Sequence, residues 1–509
     1  MQQSSLNKIS NDGMAFDVGT NNDYNFLNIK PRKNRKNPEK FRDRITVHFI
    51  GIGGISMSGL AEILKNRGYN VTGSDIRESD ITRKLVSMGI KVSVPHTGEY
   101  VEDADLVVYT AAVREDNPEM IISRKLNIPA IDRATLLGRI MKGYNCNISV
   151  SGTHGKTTTT SMISMILMEA GKNPTIHVGG ELNFIGGTTR LGGNEYFVME
   201  ADEYSQSFHK FFPFIAVILN MEFDHPDVYR DIEDIKDSFL KFAKLVPENG
   251  YIVANAEDEN TACILSEAKC NKVTFGFSKE NNFSAANIEY DQYGYPSYDL
   301  LENGVKRQRI RLNVPGRHNV LNSLAAIAVS SIVGCNDNDI KKALENFTGT
   351  RRRFEFKGSV NGIKVFDDYA HHPSEVRATL RAAANFSRNG IWCVFQPHTY
   401  TRTKYLMDDF ASSFDNVERL IVMDIYAARE KDTGDVNSKM LVDRINNLAG
   451  KDGRNVSSPH NAKAIYMKSF EEAVTYLWDN VLPGEIIITM GAGNVYKIGE
   501  MFLAKGERN

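Results

Sequence analysis

One segment constrains the fold of this chain more than any other, and its sequence is Ser151-Gly-Thr-His-Gly-Lys-Thr-Thr-Thr-Thr160. A run with strand character, Asn147 to Ser151, precedes it, and a run with helical spacing, Thr157 to Ala170, follows it. This order is typical of a phosphate-binding loop, because small residues let backbone N–H groups close on phosphates and the helix N-terminus favours negative charge. The full G-x-x-x-x-G-K-[ST] pattern is not met, since the first glycine is Gly152. A plain tight turn before a helix is the alternative.

The residue types of this loop suit a bound triphosphate. We predict that Lys156 neutralises the β- and γ-phosphates of ATP and that the hydroxyl of Thr157 binds magnesium. ATP and Mg²⁺ are therefore the predicted cofactors. The other expected ATP contacts of the loop are Gly152, Thr153, His154, Gly155 and Thr158.

The length of the chain and its alternation of strands with helices predict an α/β protein of three domains. The chain has 509 residues, and a domain takes about 150. Strands are predicted at residues 45–50, 71–75, 106–110, 147–151, 196–200, 216–220, 251–255, 363–366, 391–396, 420–424 and 485–490. Strands that alternate with helices indicate parallel sheets. We predict an N-terminal Rossmann-like domain at 44–146, a central P-loop-type ATPase domain at 147–350 and a C-terminal Rossmann-like α/β domain at 351–509.

Residues 1–43 differ from the rest of the chain. They are rich in Asn, show no helical or strand period, and end in a basic patch from Lys30 to Lys40. We predict a mostly disordered basic extension with a solvated charge run. A partner-binding arm is the alternative.

Composition excludes several classes of protein. Lys plus Arg (61) nearly balances Asp plus Glu (63), which argues against a nucleic-acid partner. The five cysteines include no C-x-x-C pair, which fits a reducing compartment. The N-terminus has no apolar stretch typical of a signal peptide, and the longest apolar run, Phe211 to Leu219, is too short to cross a bilayer. We therefore expect a cytoplasmic protein without membrane insertion.

Polar residues follow two strands of the predicted central sheet. Glu200 ends the strand at 196–200, and Asp224-His225 follows the strand at 216–220 after a short turn. Ligands of open parallel sheets bind beyond the carboxyl ends of the strands. We predict that Glu200 and His225, with Thr157, hold magnesium beside the phosphates, although oxygen ligands suit this ion better than a histidine. A solvated turn acid and a core histidine are the alternatives.

A second glycine turn lies in the first domain, from Gly51 to Gly59. It is similar to a dinucleotide fingerprint with Asp75 at the end of the next strand, but Ser56 occupies the position of the third glycine. The turn therefore predicts either NAD or another diphosphate, and the phosphate loop one domain later favours a nucleotide sugar. The predicted substrate contacts here are Gly51, Gly53, Gly54, Ser74 and Asp75.

These motifs, in this order, resemble the Mur ligase family. The match extends from about residue 44 to near the end of the chain. The motifs that carry it are Gly51-Ile-Gly-Gly54, Gly152-Thr-His-Gly-Lys-Thr-Thr158, Glu200-Ala-Asp-Glu203, Asn220-Met-Glu222, Asp224-His225, Gly316-Arg-His-Asn319, Arg352-Arg-Phe354, Asp367-Asp-Tyr-Ala-His-His-Pro373, Gln396-Pro-His398, Arg402-Thr403 and Met490-Gly-Ala-Gly-Asn494.

The resemblance implies a role for each domain and for several residues. The first domain would hold a UDP sugar, the central domain ATP, and the third domain the incoming amino acid. Asn319 would contact the adenine and Asp367 the ribose; a helix cap and a turn acid are the alternatives for these two. Arg402 would pair with the carboxylate of the amino acid. The catalytic residues would be Lys156, Glu200, His225, Arg353 as a phosphate-binding arginine, His371 and Arg402.

The resemblance also implies an activity. The most similar members join L-alanine to the carboxylate of UDP-N-acetylmuramate through an acyl phosphate, a cytoplasmic step of peptidoglycan precursor synthesis, and a monomer or weak homodimer is expected. One alternative is a recycling ligase that adds a tripeptide to the same UDP sugar. The others are an NAD-linked dehydrogenase and a nucleotide-binding protein without catalysis.

Overall fold

Three β-sheets organise the chain in the computed structural model, which describes residues 27–32, 44–387, 389–414, 417–451 and 463–506. Each sheet lies almost entirely within one of the three predicted domain ranges. The predicted strands lie on observed strands, with ends that differ by two residues or fewer. The predicted α/β class with three units is therefore confirmed, whereas the exact domain boundaries stay a prediction.

The first sheet is wholly parallel. Its strands are β1 (Thr46–Ile50), β2 (Asn70–Ser74), β3 (Lys91–Ser93), β4 (Leu106–Tyr109) and β5 (Ala130–Asp132). Its helices are α1 (Ile55–Asn66), α2 (Asp80–Ser87), α3 (Pro118–Lys125) and α4 (Arg133–Met141). The strand order is β3-β2-β1-β4-β5, so the glycine turn after β1 lies where the order reverses. Ligands of such sheets bind at this switch point.

The central sheet is the largest. Its strands are β6 (Cys146–Ser151), β7 (Thr175–Leu182), β8 (Gly187–Arg190), β9 (Tyr196–Glu200), β10 (Ile215–Ile218), β11 (Tyr251–Asn255), β12 (Asn271–Gly276), β13 (Phe283–Tyr290), β14 (Pro296–Glu302) and β15 (Val305–Arg311). Its helices are α5 (Lys156–Glu169), α6 (Ile232–Ala243), α7 (Ala262–Glu267), α8 (Arg317–Ile332) and α9 (Asp337–Asn346), with 3₁₀ turns at Asn183–Ile185 and Tyr204–Lys210. Strand β6 lies between β10 and β9, and all three are parallel. Their carboxyl ends therefore meet at one edge of the sheet.

The third sheet has the order β16-β17-β21-β18-β19-β20 and is parallel except at β16. These strands are β16 (Glu355–Val360), β17 (Ile363–Asp368), β18 (Ile391–Phe395), β19 (Arg419–Val422), β20 (Lys463–Tyr466) and β21 (Ile486–Met490). The helices are α10 (Pro373–Ala383), α11 (Tyr400–Tyr405), α12 (Met407–Ala411), α13 (Ser438–Lys451), α14 (Phe470–Asn480) and α15 (Tyr496–Gly506).

The hydrophobic core explains why these runs form a parallel sheet. Val394 and Phe395 are adjacent in β18, and they pack into separate clusters on opposite faces of the third sheet. Both faces are covered, so the strand is apolar at every position and not at every second one. The first and central sheets share one cluster, to which Leu137 of α4 and Phe197 of β9 both belong. None of the described helices is long and apolar enough to span a bilayer.

A short segment before the first strand corrects the expectation of a disordered extension. Leu27 is 1% exposed and belongs to the core cluster of the first sheet, and its carbonyl accepts a hydrogen bond from Arg139 at 3.1 Å. Arg32 donates to the carbonyl of Ala104 at 2.9 Å. Residues 27–32 are therefore packed against the first domain. This contact could not be predicted from the sequence, because a single leucine does not create the periodic apolar pattern of a helix or strand. Residues 1–26 and 33–43 lie outside the described residues.

Candidate active site

The phosphate loop lies between β6 and α5, and two glycines in left-handed conformations shape it. Gly152 has φ of 139° and Gly155 has φ of 86°, and a Cβ on Gly155 would lie 2.6 Å from Oδ1 of Asn322. Asn220 holds the loop from the neighbouring strand. Its side chain accepts the N–H of His154 at 2.8 Å and donates to the carbonyl of His154 at 3.1 Å. The left-handed backbone at Gly152 and Gly155, and the lack of room for a Cβ at Gly155, therefore require glycine.

Lys156 begins α5, and its ammonium group lies inside the loop. Nζ donates to the carbonyl of Gly152 at 2.7 Å and to the two carboxylate oxygens of Glu203 at 3.0 and 2.8 Å. Burial alone would lower the pKa of Lys156, but the carboxylates of Glu203 and Asp202 raise it above its usual value. Lys156 is thus charged at the point where a phosphate group would need a cation.

Thr157 and Glu200, two of the predicted magnesium ligands, are neighbours. The carboxylate of Glu200 accepts the N–H of Gly179 at 3.0 Å, and the nearby hydroxyl of Thr157 favours its charged form. Burial raises the pKa of Glu200 above its usual value. Oxygen donors are the ligands that magnesium prefers, so the donor set at this place fits the ion.

His225, the third predicted magnesium ligand, lies close to two other carboxylates. Its Nε2 is 3.7 Å from Oε1 of Glu203 and 3.7 Å from Oδ2 of Asp224. Its backbone has φ of 57°, in the left-handed region that non-glycine residues rarely adopt. Through Glu203, which hydrogen-bonds Lys156, the imidazole is connected to the phosphate loop.

A cavity of about 280 Å³ lies between the phosphate loop and the third domain. Its walls come from both units, and its lining includes His154, Gly155, Thr157, Thr158, Glu222, His318, Asn319, Arg353, Asp368 and Glu375. Arg353, the expected phosphate-binding arginine, has Nη1 3.8 Å from Oε1 of Glu375 and lies over the ring of Tyr369 at 5.1 Å. The cavity therefore brings Arg353 to the same space as the loop.

Asn319, the predicted adenine contact, lines this cavity in the first turn of α8. Its Nδ2 donates to the carbonyl of Pro315 at 2.7 Å, and its Oδ1 accepts from Asn322 at 3.0 Å. The side chain therefore also holds the start of the helix. His318 lines the same cavity, and burial lowers its pKa to about 4, so its imidazole is neutral at pH 7.

Asp367 and Asp368 end β17, and as adjacent strand residues they point to opposite faces. Asp367 is 1% exposed and accepts hydrogen bonds from Arg352 at 2.9 Å and Thr489 at 2.6 Å. Asp368 lines the cavity, and burial raises its pKa to about 6. The structure therefore does not support Asp367 as the ribose contact. The carboxylate that faces the cavity is one residue further on.

Arg402, the predicted contact of the amino-acid carboxylate, is paired with a carboxylate of the central domain. Its Nε and Nη2 donate to the carboxylate of Asp224 at 2.8 and 3.2 Å, and its Nη1 lies 3.0 Å from Nδ1 of His398. Burial alone would raise the pKa of Asp224, but the guanidinium lowers it far below its usual value. The paired face of Arg402 that was expected to hold the carboxylate of an amino acid is therefore occupied by Asp224.

His371 lies beside this pair. Its ring is 5.5 Å from that of His398, and its Nδ1 donates to the carbonyl of Tyr369 at 3.0 Å. Burial lowers the pKa of His371 to about 3. A neutral imidazole with a protonated Nδ1 carries its lone pair on Nε2, so Nε2 of His371 can accept a hydrogen bond.

In the first domain, the side chain of Asp75 contacts the glycine turn. Its carboxylate accepts the N–H of Gly53 at 2.8 Å, and Gly54 donates to the carbonyl of Gly51 at 3.2 Å. Gly51 has φ of 81°. Asp75 thus occupies one of the N–H groups that a diphosphate would need, and it would have to move if the diphosphate used that group.

Ser74 does not face this turn. It is completely buried, and its hydroxyl contacts Nδ1 of His96 at 2.7 Å and the carboxylate of Glu119. His48 lies in the same buried network, 3.4 Å from Glu119. Ser74, a predicted substrate contact, faces away from the turn because side chains alternate along a strand.

Sequence reasoning missed two carboxylates that surround His154. Its Nδ1 is 3.1 Å from Oε1 of Glu375, and its Nε2 is 3.4 Å from Oε2 of Glu222. Burial alone would lower the pKa of His154, but Glu375 and Glu222 raise it to about 10. The available signal for Glu375 was its place three residues after His372, which is the spacing of a helix-capping box.

The fold and the site together define a three-domain phosphate-loop protein whose third domain closes one side of the cavity beside the loop. Three family models match consecutive parts of the chain: the Mur ligase family, catalytic domain, over residues 46–145; the Mur ligase middle domain over 150–330; and the Mur ligase, glutamate ligase domain, over 352–493. The chain belongs to the Mur ligase family. The resemblance inferred from the motifs is thereby confirmed.

Two relatives show how far the similarity extends. The UDP-N-acetylmuramate--L-alanine ligase of Acetivibrio thermocellus is 55% identical over 467 residues, which are 92% of this chain and 96% of that protein. The protein of the same name from Caldanaerobacter subterraneus subsp. tengcongensis is 49% identical over 470 residues, 92% of this chain and 99% of that protein. Both matches therefore include all three sheets.

Solved structures agree with this assignment. The UDP-N-acetylmuramate-alanine ligase of Thermotoga maritima has a TM-score of 0.75 and 30% identity, covering 91% of this chain and 100% of that one. A murein peptide ligase from Psychrobacter arcticus has a TM-score of 0.66 and 24% identity, covering 90% and 98%. The second likeness shows the fold alone.

Proposed function

We propose that this chain joins L-alanine to the carboxylate of UDP-N-acetylmuramate at the expense of ATP, as a step of peptidoglycan precursor synthesis. The observation that carries the proposal is 55% identity, over 92% of the chain, to a UDP-N-acetylmuramate--L-alanine ligase. The cytoplasmic location and the monomeric or weakly dimeric state stay predictions.

The cavity beside the phosphate loop is the proposed ATP site. The loop amides and Lys156 would hold the phosphates, and Asn319 and Asp368 lie on the walls where a nucleoside would be bound. A bound phosphate would compete with Glu203 for the ammonium of Lys156. Because burial raises the pKa of Glu203, its carboxyl group can take up a proton more easily once a phosphate replaces it beside Lys156.

Thr157 and Glu200 are the proposed magnesium ligands, with His225 as a further donor. The fit rests on the place of Thr157 in the first turn of α5 near the buried carboxylate of Glu200, because magnesium prefers oxygen donors. Magnesium would supply positive charge at the transferring phosphoryl group.

The reaction follows from the weak reactivity of a carboxylate. An oxygen of the muramate carboxylate attacks the γ-phosphorus, the bond from that phosphorus to ADP breaks, and an acyl phosphate forms. The amine of alanine then attacks the acyl carbon, the bond to phosphate breaks, and an amide remains. Lys156 stabilises the charge of the first step. His371 stays a predicted contact of the incoming amino acid; because burial lowers its pKa to about 3, it is a weak base at pH 7.

The test is a reaction with all three substrates and a readout of both products. ADP release should require UDP-N-acetylmuramate and L-alanine together, and mass spectrometry should show one alanine residue added to the UDP sugar. ADP release without an amide product would contradict the proposal.

A further inference from the structure

Three side chains at the wall of the cavity converge on one point. The ligand atoms of His154, Glu222 and His372 all lie within 4.8 Å of one another. Oε2 of Glu222 is 3.4 Å from Nε2 of His154 and 3.7 Å from Nδ1 of His372. Ligands about 2.0–2.1 Å from a tetrahedral ion stand about 3.3 Å apart. The two separations from Glu222 are close to this value, and the separation between the two histidine nitrogens is at most 4.8 Å.

The hydroxyl of Ser374 lies at the same point, 2.8 Å from Nε2 of His154 and 2.8 Å from Nδ1 of His372. It has one proton and can donate to only one of the two rings. The backbone N–H of Ser374 also reaches His372, at the long distance of 3.4 Å. Two imidazole nitrogens and a carboxylate thus face one point, and an ion bound there would replace the proton on Nε2 of His154, whose pKa Glu375 and Glu222 raise in the metal-free protein.

The outer nitrogen of each ring has its own oxygen acceptor. Nδ1 of His154 is 3.1 Å from Oε1 of Glu375, and Nε2 of His372 is 3.3 Å from the carbonyl of Phe223. In metal sites, a ligating histidine commonly donates its other N–H to a carboxylate or a carbonyl, which fixes the tautomer and directs the lone pair at the ion. Both histidines have this arrangement here.

We propose that His154, Glu222 and His372 form a binding site for a divalent transition ion of the zinc class. The fourth position is filled by the Ser374 hydroxyl or by water. Two imidazoles and one carboxylate suit zinc and not magnesium, which prefers oxygen ligands alone. The site uses none of Thr157, Glu200 or His225 and is separate from the proposed magnesium ligands.

The ion joins two domains. His154 and Glu222 belong to the central domain, and His372 precedes α10 of the third domain. Bound zinc therefore ties the phosphate loop to the third domain along the wall of the cavity. Since nucleotide exchange in such enzymes requires opening, zinc should also slow turnover. The site itself does not rest on the proposed function, because metal binding is measured without substrates.

The experiment titrates the full chain, freed of metals by a chelator, with Zn²⁺ alone in a calorimeter, and with Co²⁺ alone by visible absorption. We expect one ion per chain and the intense bands of tetrahedral Co²⁺. His372→Gln and Glu222→Gln should each weaken zinc binding by more than about a hundredfold. His209→Gln is the matched control, since His209 contacts Ser238 outside the group.

Circular dichroism shows which variants are folded, and the two ligand variants are independent, so one folded variant is sufficient. Absence of zinc binding by the parent chain would overturn the proposal. Zinc affinity in a folded His372→Gln or Glu222→Gln chain equal to that of the parent would overturn it as well.

Discussion

Asp224 accepts two hydrogen bonds from the guanidinium of Arg402, at 2.8 Å from Nε and 3.2 Å from Nη2. The side chains are only 7% and 4% exposed. Asp224 follows β10 of the central domain and Arg402 lies in α11 of the third, so this paired contact joins the two domains. A buried pair of this geometry holds one relative position of its partners.

Removal of one partner should be costly. We expect Asp224→Ala to lower the free energy of unfolding by about 3–5 kcal/mol in urea, because Arg402 would be left buried without its counter-charge. The matched control is Asp408→Ala, which breaks the exposed pair with Arg444 and should cost about 1 kcal/mol or less. Equal effects of the two substitutions would argue against a buried interdomain pair.

The same pair predicts a direction for pH dependence. Arg402 holds the pKa of Asp224 below its usual value of 3.8. The stabilisation is therefore fully present above that value and is lost as the pH falls below it. Acid titration of the parent and of Asp224→Ala, followed by fluorescence, should show a steeper loss of stability in the parent. Parallel curves would contradict this.

Lys156 has two separable roles. Lys156→Ala should lower kcat by about a hundredfold or more, roughly 3 kcal/mol, because the charge contact to the transferring phosphate is lost. It should also destabilise the fold, since Glu203 would remain buried without its cation. Lys156→Ala with Glu203→Gln should regain stability but not activity. Activity of the single variant within tenfold of the parent would refute the role of Lys156.

The two adjacent aspartates at the end of β17 give a paired test of nucleotide binding. Asp368→Asn should raise the KM for ATP by about tenfold, because Asp368 faces the cavity. Asp367→Asn should lower stability through the lost contact to Arg352 and leave that KM unchanged. Initial rates against ATP concentration distinguish them. The reverse result would restore Asp367 as the nucleotide contact.

Most of the fold could be predicted from the sequence, because parallel strands are apolar runs and the glycine turns mark where they end. The phosphate loop from Gly152 to Thr158 could be predicted because it is a glycine turn between an apolar strand and a helix. The surroundings of three predicted site residues could not be read from the sequence. Ser74 and Asp367 each neighbour a residue that faces the site, and alternation along a strand turns them away. The partner of Arg402, Asp224, lies 178 positions away in the chain.

The segment before the first strand offers another test. Leu27→Ala should cost about 2–5 kcal/mol of unfolding free energy, because Leu27 is buried in the core of the first sheet. Lys30→Ala, at an exposed position of the same segment, is the control and should be nearly neutral. Denaturant unfolding measures both. A neutral Leu27→Ala would mean that the segment adds nothing to the stability of the domain.

Competition among acceptor substrates tests whether this chain uses L-alanine. L-Alanine, glycine, L-serine and the tripeptide that the recycling ligase would use are supplied together with ATP and UDP-N-acetylmuramate, and each amide product is quantified. We predict that alanine is preferred over glycine by about 1–3 kcal/mol in kcat/KM, as a methyl-sized pocket allows, that L-serine is also disfavoured, and that the tripeptide is not used. A preference for the tripeptide would contradict the proposed L-alanine ligase activity and assign the chain to the recycling ligases.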